Sequence, residues 1–207
     1  MKESEKIHDC KITLVGDSGV GKTSIIGRYV TGIFMQEISS TAGLNYSHKF
    51  YEKNGKKLLN LNLWDTAGQE KFRSLGKNFY KDSYIVLIIY DISNKESFEN
   101  IKEIWYPELK TYGETFKILS IVGNKIDKYE EEADSFAKEI KAKFFLVSAN
   151  TGDGIDSMFS SLADNFFEAD FLKKVDESKE ERINSIVLSK EYLKRGNKSN
   201  RKHKRCC

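Results

Sequence analysis

The sequence predicts an α/β fold: a mostly parallel six-stranded sheet with one antiparallel edge strand and helices on both faces. Three observations predict it. A short β-rich run at about 10–15 and mainly apolar runs at about 84–90, 117–122 and 144–147 alternate with helical patterns, as buried parallel strands and their crossovers require. The helical patterns carry apolar residues at i, i+3, i+4, i+7 spacing: Phe98, Ile101, Trp105 and Leu109, then Ile155, Met158, Phe159, Leu162 and Phe166. Two further strand runs, about Leu44–Lys53 and Lys56–Trp64, flank Asn54-Gly55, a strong hairpin signal that supplies the antiparallel edge.

Each element has its own warrant. Cys10 to Val15 is β-rich, stops at a glycine, and leads into a helical pattern through about Thr31. The chain of 207 residues, 39% hydrophobic and 12% aromatic, buries a sizeable core, which excludes wholesale disorder. A single proline, Pro107, and 14 glycines exclude a collagen-like chain. From Lys194 to Arg205 lie seven basic residues and no acidic one, leaving 27 basic against 31 acidic elsewhere. The net charge of +3 is therefore a basic tail on a mildly acidic body. The start is charged without an apolar stretch, and the longest apolar run, Tyr84 to Tyr90, is too short for a bilayer. Three cysteines make no disulfide framework, so a reducing compartment is expected. The expected organisation is an N-terminal extension over 1–9, one domain over 10–170 and a flexible tail over 171–207.

Gly16-Asp17-Ser18-Gly19-Val20-Gly21-Lys22-Thr23, followed by Ser24, fits the phosphate-loop pattern G-x-x-x-x-G-K-[ST] between a strand and a helix. Glycines let backbone amides and a helix N-terminus wrap an anion at close range. Lys22 is placed to neutralise β/γ charge and the Thr23 hydroxyl to ligate Mg²⁺. This loop alone suits an ATPase, a nucleotide kinase or a GTPase. Asn124-Lys125-Ile126-Asp127, after a later strand, decides among them. One carboxylate accepts both N1–H and N2–H of guanine, whereas adenine presents an acceptor that it repels. Asp127 fits that role, with the Lys125 stem along the base; Ser148-Ala149-Asn150 offers the Ala149 amide to guanine O6. Trp64-Asp65-Thr66-Ala67-Gly68-Gln69-Glu70 follows the second hairpin strand. Asp65 suits a water-mediated metal contact, Gly68 an amide on the γ-phosphate and Gln69 the orientation of attacking water.

These motifs, in this order over about Lys11 to Phe167, resemble the Ras superfamily of small GTPases and, within it, the Rab family: a single G domain. The resemblance extends to Lys71-Phe72-Arg73-Ser74-Leu75, Tyr90-Asp91-Ile92-Ser93 and the ending Cys206-Cys207. It implies that Phe34 packs on guanine and that Thr41 meets magnesium and γ-phosphate only in the GTP state. It implies catalytic roles for Gln69, Lys22, Thr41 and Gly68, a metal set of Thr23, Thr41 and Asp65, and dual geranylgeranylation at Cys206 and Cys207. It implies an effector surface of Ala42, Gly43, Leu44, Tyr46, Trp64 and Phe79, although Trp64 and Phe79 read equally well as partly buried packing. The implied partners are an exchange factor, an activating protein, escort or GDP-dissociation-inhibitor proteins and effectors, with no nucleic acid and a monomeric chain. The implied location is the cytosol and the cytoplasmic face of endomembranes.

The chain departs from the Rab pattern at Thr41-Ala42-Gly43-Leu44-Asn45-Tyr46, at Phe79-Tyr80-Lys81-Asp82-Ser83 and at Asn150, where lysine is usual. Trp105-Tyr106-Pro107-Glu108 is similar to the Rho family, but the span from Asp127 to Ser148 is too short for the Rho insertion. His8 and His48 have no partner at suggestive spacing and read as surface residues, and Cys10 as a small core residue. The basic tail also reads as a polyanion-binding patch. Two rival readings are a nucleotide-locked binding module and an adenine-nucleotide enzyme. The first is opposed by Thr41 and Gln69, the second by Asp127.

Overall fold

In the computed structural model the described residues are 7–34, 41, 44–53, 56–66, 80–112, 116–126 and 131–169, with side chains at 56–57 and 131–134 excluded. Six strands form one sheet: β1 (His8–Val15), β2 (Leu44–Lys53), β3 (Lys56–Thr66), β4 (Ile85–Asp91), β5 (Ile118–Asn124) and β6 (Lys143–Val147). Their spatial order is β2-β3-β1-β4-β5-β6. All neighbours are parallel except β2 and β3, so the expected antiparallel edge is where the sequence placed it. The Asn54-Gly55 turn lies outside the described residues. The hairpin register shifts between Tyr51 and Glu52, a bulge in the edge strand.

The first strand begins at His8, earlier than expected, because His8 and Asp9 already stand in register with Leu59 and Asn60 of β3. At the other end β3 runs past Trp64 to Thr66, which places Asp65 inside the ladder opposite Leu14. Thr66 Oγ1 donates to Leu14 O at 2.7 Å and fastens that end.

Helix α1 (Lys22–Thr31) closes at Gly32, whose φ of 74° is the left-handed geometry in which glycine carries no Cβ penalty. Helix α2 (Lys95–Asn100) is capped by Asn94, whose side chain accepts from the Glu96 and Ser97 amides. It runs into a π-helical turn (Ile101–Trp105) and then α3 (Tyr106–Tyr112). α4 (Glu131–Glu139) precedes β6, and a last helix, α5, spans 155–169. The chain divides into two units, Met1–Ala163 and Asp164–Cys207; in the second, only 164–169 are described.

Every residue of β4 is buried. Val86, Ile88 and Tyr90 pack with Phe98, Ile101, Trp105 and Leu109, the apolar stripe read from the sequence. The alternate residues Ile85, Leu87 and Ile89 face the other side. On α1, Ile25, Ile26 and Tyr29 are buried, and Tyr29 stacks on Phe159 at 3.9 Å. At about 1.5–3 kcal/mol per large buried apolar side chain, these two layers dominate the stability of the sheet. Among the described residues no helix is long and apolar enough to cross a membrane.

Strand order reverses at β1, which has β3 on one side and β4, reached later in the chain, on the other. In open α/β sheets the crevice at such a point, beyond the carboxyl ends of the strands, is where ligands bind. Val15, Thr66, Asp91, Asn124 and Val147 all end their strands at that edge.

Candidate functional site

The turn from β1 into α1 has a backbone that only glycine tolerates. A Cβ on Gly16 (φ 138°) would lie 2.1 Å from Ile89 O, and one on Gly21 (φ 99°) would lie 2.2 Å from Asn124 Nδ2. Gly21 sits at the N-cap of α1 with no side-chain cap, so the first amides of the helix face the loop without a capping acceptor. Ser18 and Gly19 are exposed at the loop tip and Val20 is buried beneath it. Ser24 is half-buried on α1.

Lys22 is 6% exposed, with Nζ donating to Gly16 O at 2.8 Å and Asp17 O at 2.7 Å. Burial pushes its ammonium pKa down to about 8, against the opposing pull of Asp65 and Asp17. An anion in this loop would reverse the shift, so Lys22 is a cation held in wait for negative charge.

Behind it three oxygens converge. Thr23 Oγ1 donates to Asp65 Oδ2 at 2.6 Å and lies 2.9 Å from Thr41 Oγ1, which itself reaches Asp65 Oδ2 at 3.3 Å. Asp65 is 3% exposed, and its Oδ1 is buried without a hydrogen-bond partner. Burial raises the Asp65 pKa, although Thr23, Lys22 and Thr41 all work to lower it. An unsatisfied buried carboxylate oxygen beside two hydroxyls fits a hard cation such as Mg²⁺. Among the described residues no three His, Cys, Asp or Glu cluster together. Mg²⁺ here would therefore rely on substrate phosphates for much of its coordination, as it does in phosphoryl-transfer sites.

The second half of the site hangs on Asn124, 1% exposed at the end of β5. Its Nδ2 donates to Val20 O at 2.9 Å, and its Oδ1 accepts the Ala149 amide at 3.1 Å. One side chain thus joins the phosphate loop to the loop after β6. The Ala149 amide, which the sequence offers to guanine O6, donates here to Asn124 Oδ1. Lys125 has φ 68° and reaches back, Nζ donating to Gly19 O at 3.0 Å and to Asp91 Oδ2 at 2.5 Å. Burial works to raise the Asp91 carboxyl, but the Lys125 ammonium and the Ser93 donors outweigh it and hold it below the ordinary range. Ser148 Oγ accepts from the Thr151 amide at 3.2 Å and shapes the same loop, on which Asn150 is exposed.

Sequence reasoning missed Arg28. From α1 its guanidinium donates to Ala149 O and Gly32 O, each at 2.8 Å, and to Asn150 O, and it stands 6.0 Å over the half-buried Phe34 ring. Nothing local signals contacts across more than 120 residues. Gly68, Gln69 and Asp127 lie outside the described residues.

A sequence model of the Ras family matches residues 11–168. RabC of Dictyostelium discoideum is 37% identical over 159 residues, 73% of this chain and 81% of that protein. The Ypt/Rab-type GTPase YPT7 of Saccharomyces cerevisiae is 38% identical over 173 residues, 77% and 82% of the two chains. The chain belongs to the Rab branch of the Ras family. Rab-26 of Mus musculus is 39% identical over 160 residues, 74% of this chain, and the match spans 61% of that protein's length.

The surface that a Rab resemblance assigns to effectors is described only in part: Ala42, Gly43 and Phe79 lie outside the described residues, as do Cys206 and Cys207. Leu44 and Tyr46 are 38% and 51% exposed on the edge strand. Trp64 is half-buried, 5.1 Å from the Tyr46 ring across the hairpin, with Lys11 Nζ over its ring at 5.0 Å from the centroid. It is both packing and surface. His48 is exposed beside Tyr46, and Cys10 is fully buried in the core, as expected.

Proposed function

We propose that this Rab-type chain is a GTP/GDP switch: it binds GTP, hydrolyses it slowly with water to GDP and phosphate, and regulates vesicle and membrane trafficking through GTP-dependent effectors. The observation that carries the reading is the convergence of Thr23 and Thr41 on Asp65, beside a glycine loop that holds Lys22 buried. Thr41 precedes the strand that carries Tyr46, so a γ-phosphate that engages Thr41 orders the segment leading to the exposed aromatic edge.

In this reading the loop amides and Lys22 hold the β/γ-phosphates, and Gln69 orients the attacking water while the Gly68 amide meets the γ-phosphate. Mg²⁺, held by Thr23 and Thr41 with Asp65 behind them, supplies neutralisation of the charge that develops on the phosphoryl oxygens. Asp127 and Lys125 select guanine, with Phe34 against the base. None of these groups is an arginine aimed at the phosphates, so an activating protein accelerates hydrolysis and an exchange factor resets the switch. Escort or dissociation-inhibitor proteins and effectors complete the cycle. Cys206 and Cys207 carry geranylgeranyl groups that hold the chain on endomembranes, with the basic run from Lys194 adding attraction to an anionic leaflet.

Single-turnover hydrolysis of GTP by the Mg²⁺-loaded protein, with ATP as competitor, tests the reading. Slow turnover that is indifferent to ATP is expected. Tight GTP binding without turnover would mean a locked module, and competition by ATP would overturn the guanine assignment.

A further inference from the structure

Asp17 places a carboxylate inside a loop built to receive polyphosphate, and both of its oxygens are held from one helical segment. Trp105 Nε1 donates to Oδ1 at 2.8 Å, and Asn100 Nδ2 donates to Oδ2 at 2.7 Å. The two donors lie 83 and 88 residues further along the chain. Trp105 is 4% exposed, so this is a contact largely shielded from water.

Asn100 precedes, and Trp105 ends, an irregularity with an identifiable cause. At the π-helical turn the Tyr106 amide donates to Ile101 O, five residues back. Pro107 follows at once. It has no N–H for Glu103 O, and its ring crowds that carbonyl in a regular α-helix; a widened turn relieves both problems. Just beyond, Glu108 Oε1 accepts from the hydroxyl of the buried Tyr80 at 3.3 Å. The Trp105-Tyr106-Pro107-Glu108 run is thus tied to the phosphate loop at one end and to Tyr80 at the other.

We propose that Trp105 and Asn100 are positioning residues for nucleotide retention: they hold the Asp17 carboxylate against the helix, away from incoming phosphate charge, so that bound nucleotide leaves slowly. This rests on the nucleotide-switch reading. Released, the same carboxylate is free to swing within a loop that must hold several phosphate charges, where like charge disfavours the bound state. A neutral donor from an aromatic side chain and one from an amide orient the carboxylate without neutralising it. That leaves the Asp17 charge able to help keep Lys22 protonated.

The test is release of a fluorescent GDP analogue from the Mg²⁺-loaded full chain. Trp105→Phe keeps an aromatic ring but removes the donor together with part of the buried indole volume, and it should speed release about 10-fold, the scale of one hydrogen bond to a charged group; the Asp17→Ala background separates the lost donor from the lost packing. Asn100→Ala, at a half-buried helix position, should act in the same direction and serves if Trp105→Phe does not fold. In an Asp17→Ala background neither change should add more than about twofold, because the carboxylate is gone. An effect of Trp105→Phe that persists undiminished in that background would make it packing and overturn the proposal. So would unchanged release in both single variants of a parent that retains GDP. A parent that fails to retain GDP would overturn the switch reading and the clamp with it.

Discussion

Replacing Asn124 by alanine tests whether one buried amide holds the two halves of the site together. The change removes the donor to Val20 O at 2.9 Å and the acceptor of the Ala149 amide at 3.1 Å, at a position 1% exposed. Leaving a buried backbone group unpaired costs about 1–3 kcal/mol, so two such groups cost about 2–6 kcal/mol before water enters the space. Both orphaned groups belong to ligand loops, so we expect most of the cost to appear as lost nucleotide affinity. About 2–4 kcal/mol corresponds to roughly 30- to 1,000-fold faster GDP release. The assay is GDP release together with the melting temperature of the GDP-bound protein. Release within about twofold of the parent, at unchanged melting temperature, would refute the bridging role. A second arm uses Gly21, where a Cβ would meet Asn124 Nδ2 at 2.2 Å. Gly21→Ala should be severe alone, and the double variant with Asn124→Ala should lose less than the sum of the two single losses, since the collision is gone while the strain at φ 99° remains.

Three further outcomes follow from the site. Lys22 has a pKa of about 8 when no phosphate is bound, against 10.5 for an unburied lysine. Between those values the unfolded chain binds more protons than the folded one, so the nucleotide-free protein should gain stability as pH rises from about 8 toward 10.5. Nucleotide binding, which favours the protonated lysine, should weaken by up to about tenfold per pH unit above that lower value, and titrations in buffers of different ionisation enthalpy should register proton uptake. Arg28→Met should release the loop at Ala149 and Asn150 and cost about tenfold in GDP affinity, and lysine should not restore it because it lacks the fork. An Arg28→Lys protein with parental affinity would contradict this. Gln69→Leu should slow single-turnover hydrolysis about tenfold or more with GTP affinity unchanged; equal rates would remove Gln69 from the reaction.

What was legible in the sequence was what depends on neighbours along the chain. Gly16 to Thr23 announces a phosphate loop because the strained backbone, the lysine and the hydroxyl all lie within one turn. Alternating apolar runs gave the parallel sheet for the same reason, down to the stripe of Phe98, Ile101, Trp105 and Leu109. Strand ends were less legible, since pairing sets them: His8 joins β1 only because Leu59 is there to meet it. The hidden part of the site consists of contacts that exist only once strand order is known. Asn124 was readable as a nucleotide-loop residue, but that it joins Val20 to Ala149 follows from β5 lying between β4 and β6, with β1 one strand further on. Pro107 is the sharpest case. In sequence it reads as a Rho-like oddity in a helix; in the fold it adjoins the π-helical turn from which Trp105 reaches Asp17. A helix breaker inside an apolar stripe is a local conflict, and such conflicts persist where the irregular geometry serves the site. Here the irregular turn brings an indole donor to the one carboxylate of the phosphate loop, which is why the clamp on Asp17 follows from the proline rather than from the motif.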